Sequence, residues 1–196
     1  MIKTPLKNSS TKILLASGSP RRRELLAMIA PGFAVAPGRD VDESYPSDIP
    51  AEKVAEYLSK VKANAYIDLL ADDEIIITAD TVVIIDGRIL GKPAGRDDAV
   101  AMLRSLSGRR HKVVTGVTVT ARDRSISFDE TTVVEFAPLS DDEIDAYVDT
   151  FRPYDKAGAY GIQEWIGAVG IKGIEGCYYN VMGLPVHTLY HRLKEF

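Results

Sequence analysis

Residues 75–85 read IIITADTVVII, with apolar side chains at nearly every position. A strand that is apolar on both faces has to run through the inside of a sheet covered on both sides, which is the habit of α/β proteins. Asp86-Gly87 follows at once, a dipeptide that favours the two-residue turn of a β-hairpin. Asp80 alone places a charge within this run. A lone buried carboxylate is costly unless it is paired, hydrogen-bonded or bound to a cation.

The rest of the chain alternates in the way such a strand requires. Ile13-Leu14-Leu15-Ala16 reads as a short buried strand, and Ser19-Pro20 as a helix start with serine as N-cap and proline at the first helical position. Leu25, Leu26 and Ile29 give that helix its apolar face. A second helix is expected over about 50–70, with Val54, Tyr57, Leu58, Val61 and Ala65 as one stripe. A third is expected over 97–106, stopped by Gly108. Strands rich in threonine and valine are expected over 111–121 and 125–136, joined by a turn at 122–124. Ser140-Asp141-Asp142-Glu143 is a capping box opening a helix to about residue 149. Residues 150–176 are glycine-rich without clear periodicity, and a final helix is expected over about 185–194. Residues 1–11 lack periodicity and read as a leader, which leaves 12–196 as one domain. The fold class is therefore α/β, a mixed β-sheet flanked by helices.

Composition narrows the function. The 196 residues are 45% hydrophobic and 27% charged, an ordinary balance for a chain with a core. A net charge of −4 disfavours wrapping of nucleic acid, so no stable nucleic-acid complex is expected, while a local basic site for a small anion remains open. The single cysteine, Cys177, excludes an internal disulfide and a cysteine-based zinc site. His187 and His191 have helix-face spacing, but no HExxH or other ligand pattern accompanies them. The N-terminus is polar and lacks the apolar stretch of a signal peptide. No apolar run approaches the roughly 20 residues needed to span a bilayer. A cytoplasmic protein without a membrane partner is expected.

Two anomalies carry chemistry. Arg21, Arg22 and Arg23 stand in the first turn of the first helix, where the helix dipole disfavours cations. An anion at that N-terminus reverses the sign, because exposed N–H groups and guanidinium forks then share it. Gly18 lets the backbone come close to a phosphate, and a solvated basic turn is the plainer alternative. Asp80 is the second anomaly. A hairpin returning through Leu90-Gly91-Lys92-Pro93 is one way to supply its partner, as Lys92, and a simple buried salt bridge is the competing reading. Glu43 alone reads as acidic surface loop, and Lys62 as a residue snorkelling beside an apolar helix face.

The motifs taken together resemble the Maf family. Leu14-Leu15-Ala16-Ser17-Gly18-Ser19-Pro20-Arg21-Arg22 is followed by Val41-Asp42-Glu43, Ala79-Asp80-Thr81-Val82-Val83 and Leu90-Gly91-Lys92-Pro93. Leu106-Ser107-Gly108 with His111, Thr115-Gly116-Val117, residues 155–163 (DKAGAYGIQ) and residues 179–185 (YNVMGLP) continue the same order. The resemblance covers almost everything from residue 12. It implies a strongly twisted sheet in two lobes with a central cleft, like the pyrophosphatases that remove inosine-type nucleotides. It further implies hydrolysis of nucleoside triphosphates to monophosphate and pyrophosphate, a house-cleaning role, and an association with septum formation and cell-division arrest. Arg21 stands where the branch acting on 7-methyl-GTP tends to carry tryptophan, and Thr81 and Gln163 match the branch acting on dTTP and UTP. The segment 165–172 departs from the family's motifs.

By the same resemblance, Mg²⁺ or Mn²⁺ bridges the triphosphate to Glu43 and Asp80, and Asp80 is the proton acceptor. Lys62 and Lys92 are catalytic cations, Ser17, Arg21 and Arg22 bind phosphate, and Thr81 with Gln163 reads the base. A homodimer is compatible with this reading without being required by it. A non-catalytic nucleotide or nucleic-acid binder that regulates septum formation accounts for the phosphate loop equally well but leaves Glu43, Asp80 and Lys92 without a task. A modified-purine triphosphate pyrophosphatase of the same fold is the nearer alternative.

Overall fold

The computed structural model describes residues 5–6 and 10–196, so most of the expected leader, residues 1–4 and 7–9, lies outside the described residues. In chain order the elements are β1 (Lys12–Leu15), α1 (Pro20–Ile29), β2 (Ala34–Val35), α2 (Ala51–Asn64), β3 (Glu74–Ile85) and β4 (Arg88–Leu90). They continue with α3 (Arg96–Leu106), β5 (Arg110–Thr120), β6 (Ser125–Phe136), α4 (Asp141–Phe151), α5 (Trp165–Gly170), β7 (Ile171–Glu175), α6 (Tyr178–Met182) and α7 (Val186–Glu195). Single 3₁₀ turns lie at Ile67–Leu69 and Ala157–Ala159.

The strands form one seven-stranded mixed sheet in the order β2-β1-β3-β5-β6-β7, with β4 paired to β3. β1 runs parallel to both neighbours, with Leu14 opposite Ala34 and Ile76. The β3–β4 hairpin turns at Asp86 and Gly87, both at positive φ (51° and 73°), as the Asp-Gly signal requires. β3 is a single strand of twelve residues. Asp80 does not interrupt it, because the ladder uses only the backbone and the carboxylate finds its partner elsewhere.

The chain divides into two compact units. The first comprises Met1–Asp80, Thr115–Glu130 and Gly183–Phe196, and the second Thr81–Val114 and Thr131–Met182. In the first, α1 begins where proline and serine direct it. Ser19 is the N-cap, its hydroxyl accepting the Arg22 N–H at 3.5 Å, and Leu25 and Leu26 are buried. α2 ends at Asn64, not near residue 70, and a separate 3₁₀ turn follows. Its buried face is Val54, Ala55, Leu58, Ser59 and Ala63, which is rotated from the expected stripe. The cause is local. A Cβ on Gly116 of β5 would lie 2.2 Å from Glu56 N and 2.3 Å from Ala55 C, so the helix backbone rests directly on the strand there. Ser59 is then buried at no loss, its hydroxyl bonded to Thr118 Oγ1 (2.7 Å) while its carbonyl accepts from Thr78 Oγ1 (2.7 Å).

The second unit has its own core. Val83, Ile85, Leu103, Leu106, Val134 and Phe136 pack with Ile144, Tyr147 and Val148 of α4. The predicted capping box on α4 is present, with Ser140 Oγ and the Glu143 carboxylate each satisfying the other's backbone N–H. The stretch 150–176 that lacked periodicity contains α5 and the edge strand β7, whose Ile174 pairs with Val134. α5 spans six residues and β7 five, too short to print a period on the sequence.

Candidate active site

In the first unit, a short loop joins β1 to the N-terminus of α1. Ser17 Oγ accepts the Ser19 N–H (3.2 Å), and no acidic residue occupies the first turn of α1. A Cβ on Gly18 would meet nothing within 4 Å, so the surface there is open. Arg21 and Arg22 are half-buried, whereas Arg23 is exposed. Arg22 is directed inward. Its Nε donates to the Gly183 carbonyl (2.8 Å) and an Nη to the Ala79 carbonyl (2.8 Å), which ties α1 to β3 one residue before Asp80. Burial pulls Arg22 below the usual guanidinium range while the nearby Asp80 charge pulls the other way, and a guanidinium stays protonated under either influence.

Asp80 stands at the end of the first unit's share of β3, with its side chain 14% exposed. Lys62 Nζ donates to Asp80 Oδ1 at 2.5 Å and lies 3.1 Å from Glu43 Oε2. Lys62 is therefore more than a snorkelling residue. It falls three residues after Ser59 on the buried face of α2, so the rotation imposed at Gly116 carries it to the sheet. Glu43, which alone read as surface loop, is 56% exposed but shares this ammonium. Two carboxylates thus converge on one cation in a half-buried setting. A charge-assisted pair so placed is stronger than an exposed one, because water screens it less. Lys62, and not Lys92, is the cation that the hydrogen-bond pattern pairs with Asp80.

Among the described residues, no group of three or more His, Cys, Asp or Glu side chains could hold a metal ion by itself. Two hard carboxylates drawn to one positive centre nonetheless suit Mg²⁺ or Mn²⁺, which keep water ligands and take phosphate oxygens in place of a full protein cage. His187 and His191 are both exposed on α7, their rings tilted at 58° with centroids 4.8 Å apart.

The remaining expected residues belong to the second unit. Thr81 is half-buried on β3, and Lys92 is exposed in the segment after β4. The Gly158 N–H donates to the Gly91 carbonyl (3.0 Å), which anchors that segment beside Lys92. Gln163 is exposed within a turn over 161–164 closed by the Glu164 N–H on the Gly161 carbonyl (3.0 Å). Beneath it lies a set of residues given no part by the sequence reading. Lys156, with a side chain 10% exposed, pairs with Glu164 (3.0 Å) and Asp155 (2.7 Å), and Tyr147 donates to Glu164. A buried lysine gives no periodic signal, and only its fixed distance from the glycine-rich turn distinguishes it.

A helix N-terminus with a basic first turn, in the same unit as two paired carboxylates, is an arrangement suited to an anion and a divalent cation. The Maf family, described as Maf-like protein, matches residues 12–196, and the chain belongs to it. A protein of Bacteroides thetaiotaomicron named dTTP/UTP pyrophosphatase is 52% identical over 184 residues, 94% of this chain and 95% of that one. A protein of the same name from Porphyromonas gingivalis is 54% identical over 187 residues, covering 94% of both chains. A third from Christiangramia forsetii is 42% identical, covering 100% of this chain and 98% of its own. Among solved structures, the Ham1 protein of Staphylococcus aureus superposes with a TM-score of 0.57 at 18% identity, over 94% of this chain and 99% of that one, a likeness of fold.

Proposed function

We propose that this chain hydrolyses dTTP and UTP between the α- and β-phosphorus, releasing the nucleoside monophosphate and pyrophosphate. The observation that carries this reading is the convergence of Glu43 and Asp80 on Lys62, in the same unit as the Ser17–Arg22 loop. The names of relatives about 50% identical over nearly the whole chain support the choice of substrates.

Glu43 and Asp80 would hold the divalent cation, which when bound supplies charge to the triphosphate and lowers the pKa of attacking water. Asp80 is also the residue we assign to accept the water's proton. The Lys62 ammonium holds that carboxylate in place. Ser17 and Arg21 bind phosphate oxygens at the head of α1. Arg22 adds charge from behind the loop while its fork holds Ala79 in position. Lys92 neutralises charge that develops as pyrophosphate leaves, which is the dominant need in phosphoryl chemistry. Thr81 and the Gln163 amide read the base, since an amide offers the donor and acceptor that the edge of uracil or thymine requires.

The test is release of pyrophosphate from a panel of nucleoside triphosphates, with and without Mg²⁺ or Mn²⁺. Fastest release from dTTP and UTP is expected. Binding without release would make the chain a nucleotide-binding regulator, and a preference for inosine or xanthosine triphosphate would make it a modified-purine enzyme. No helix among the described residues is long and apolar enough to cross a membrane.

A further inference from the structure

We infer that Tyr147, Lys156 and Glu164 form a clamp that fixes the 161–164 turn and so aims Gln163, making them positioning residues for base selection. This inference rests on the reading of Gln163 as the residue that meets the base.

The clamp is closed on itself. Tyr147 is 1% exposed, and its hydroxyl donates to Glu164 Oε2 while accepting the Gly161 N–H at 3.1 Å. The other oxygen of Glu164 takes Lys156 Nζ at 3.0 Å. One tyrosine hydroxyl thus ties down both the first residue of the turn and the side chain of its last. The Gly161 carbonyl, bonded by the Glu164 N–H, closes the backbone between them. Burial holds the Tyr147 hydroxyl well above the ordinary range for a phenol, so it remains a donor at working pH.

The turn in turn dictates where the Gln163 side chain lies. A Cβ at Gly161 would stand 2.8 Å from Gln163 Nε2 and 2.8 Å from Glu164 Cδ. The Gln163 amide therefore folds back across a bare α-carbon, beside the carboxylate that the clamp holds. From below, a Cβ at Gly167 would lie 1.8 Å from the Ile162 carbonyl oxygen, so α5 closes against the turn without a gap.

Stability alone gives no reason for such an arrangement. A lysine is rarely buried, and replacing a buried ion pair with apolar side chains of similar volume is often neutral or stabilising. What apolar side chains cannot supply is a directional set of bonds to one backbone N–H and one carboxylate. That set fixes a single turn conformation, and with it the point and direction from which the Gln163 side chain leaves the backbone.

The experiment compares UTP with CTP, which differ at the base edge that an amide reads, as kcat/KM for pyrophosphate release. The variants are Gln163→Ala, Tyr147→Phe, Glu164→Gln and the double Gln163→Ala/Tyr147→Phe. Gln163→Ala should narrow the UTP/CTP ratio about tenfold, the equivalent of one hydrogen bond. Tyr147→Phe and Glu164→Gln should each narrow it several-fold in the same direction, chiefly through KM for UTP. The double variant should show the ratio of Gln163→Ala alone. A purely structural role would slow both substrates by one factor and leave the ratio unchanged. If Gln163→Ala shifts the ratio while Tyr147→Phe and Glu164→Gln do not, the clamp has no part in selection and the proposed function stands. If Gln163→Ala leaves the ratio unchanged, base reading by Gln163 fails and the clamp's role fails with it. Should Tyr147→Phe not fold, Glu164→Gln decides.

Discussion

Asp80 is the residue to which the proposed mechanism assigns the proton transfer. An aspartate in the middle of IIITADTVVII survives because Lys62 meets Oδ1 at 2.5 Å, and the side chain keeps 14% of its surface accessible. Asp80→Asn preserves the shape and removes the proton acceptor, so we expect kcat to fall by about 10²-fold or more with nucleotide binding retained. Turnover of UTP at the wild-type rate by that variant would remove Asp80 from the mechanism. Glu43 and Lys62 show why single residues are hard to read in isolation. Neither stands out by periodicity or type, since a carboxylate in an acidic loop and a lysine on a helix are ordinary. Their meaning comes from a partner 18 or more positions away in the chain.

At the scale of elements, α2 decides whether those three residues meet. Its angle on the sheet is set at Gly116, where any side chain would strike the helix backbone, and by the Thr78–Ser59–Thr118 hydrogen bonds. Gly116→Ala should cost about 1–3 kcal/mol by overpacking and lower activity with it, because Lys62 rides on the displaced helix. Urea unfolding and pyrophosphate release check the two effects, and a variant as stable as wild type would refute the close approach. The buried face of α2 departs from its apolar periodicity for a related reason. Periodicity ranks serine as solvent-facing, whereas a serine whose hydroxyl and carbonyl are both bonded belongs inside. By contrast, the starts of α1 and α4 are legible to the residue, because Ser-Pro and the capping box act within one turn of chain.

At the scale of the whole molecule, pH tests how the core of the second unit is built. His111 is 3% exposed, stacked on Phe136 and bonded to the Tyr160 hydroxyl (2.7 Å), and burial pulls its pKa down to about 4. The unfolded chain, with an ordinary imidazole near 6.5, binds the proton first as pH falls. Stability from this residue is thus complete above about pH 6.5 and is lost between there and about pH 4. From pH 7 to 5 the loss should be about 2 kcal/mol. His111→Phe should flatten the stability profile over that interval in urea titrations, and an unchanged slope would mean the imidazole is not neutral when folded. Sequence by itself determined the α/β class, the long inner strand with its hairpin, the Ser19-Pro20 start of α1 and the family motifs, since each is written in neighbouring residues. Tertiary structure alone decided that Asp80 takes Lys62 as its partner, that Arg22 points into main-chain carbonyls, and that a buried Lys156 lies beneath Gln163. Those facts depend on helix rotation and backbone approach between segments far apart in sequence. The loop at Ser17 declares itself within six residues, whereas Asp80 acquires its ammonium partner only when α2 is seated on Gly116.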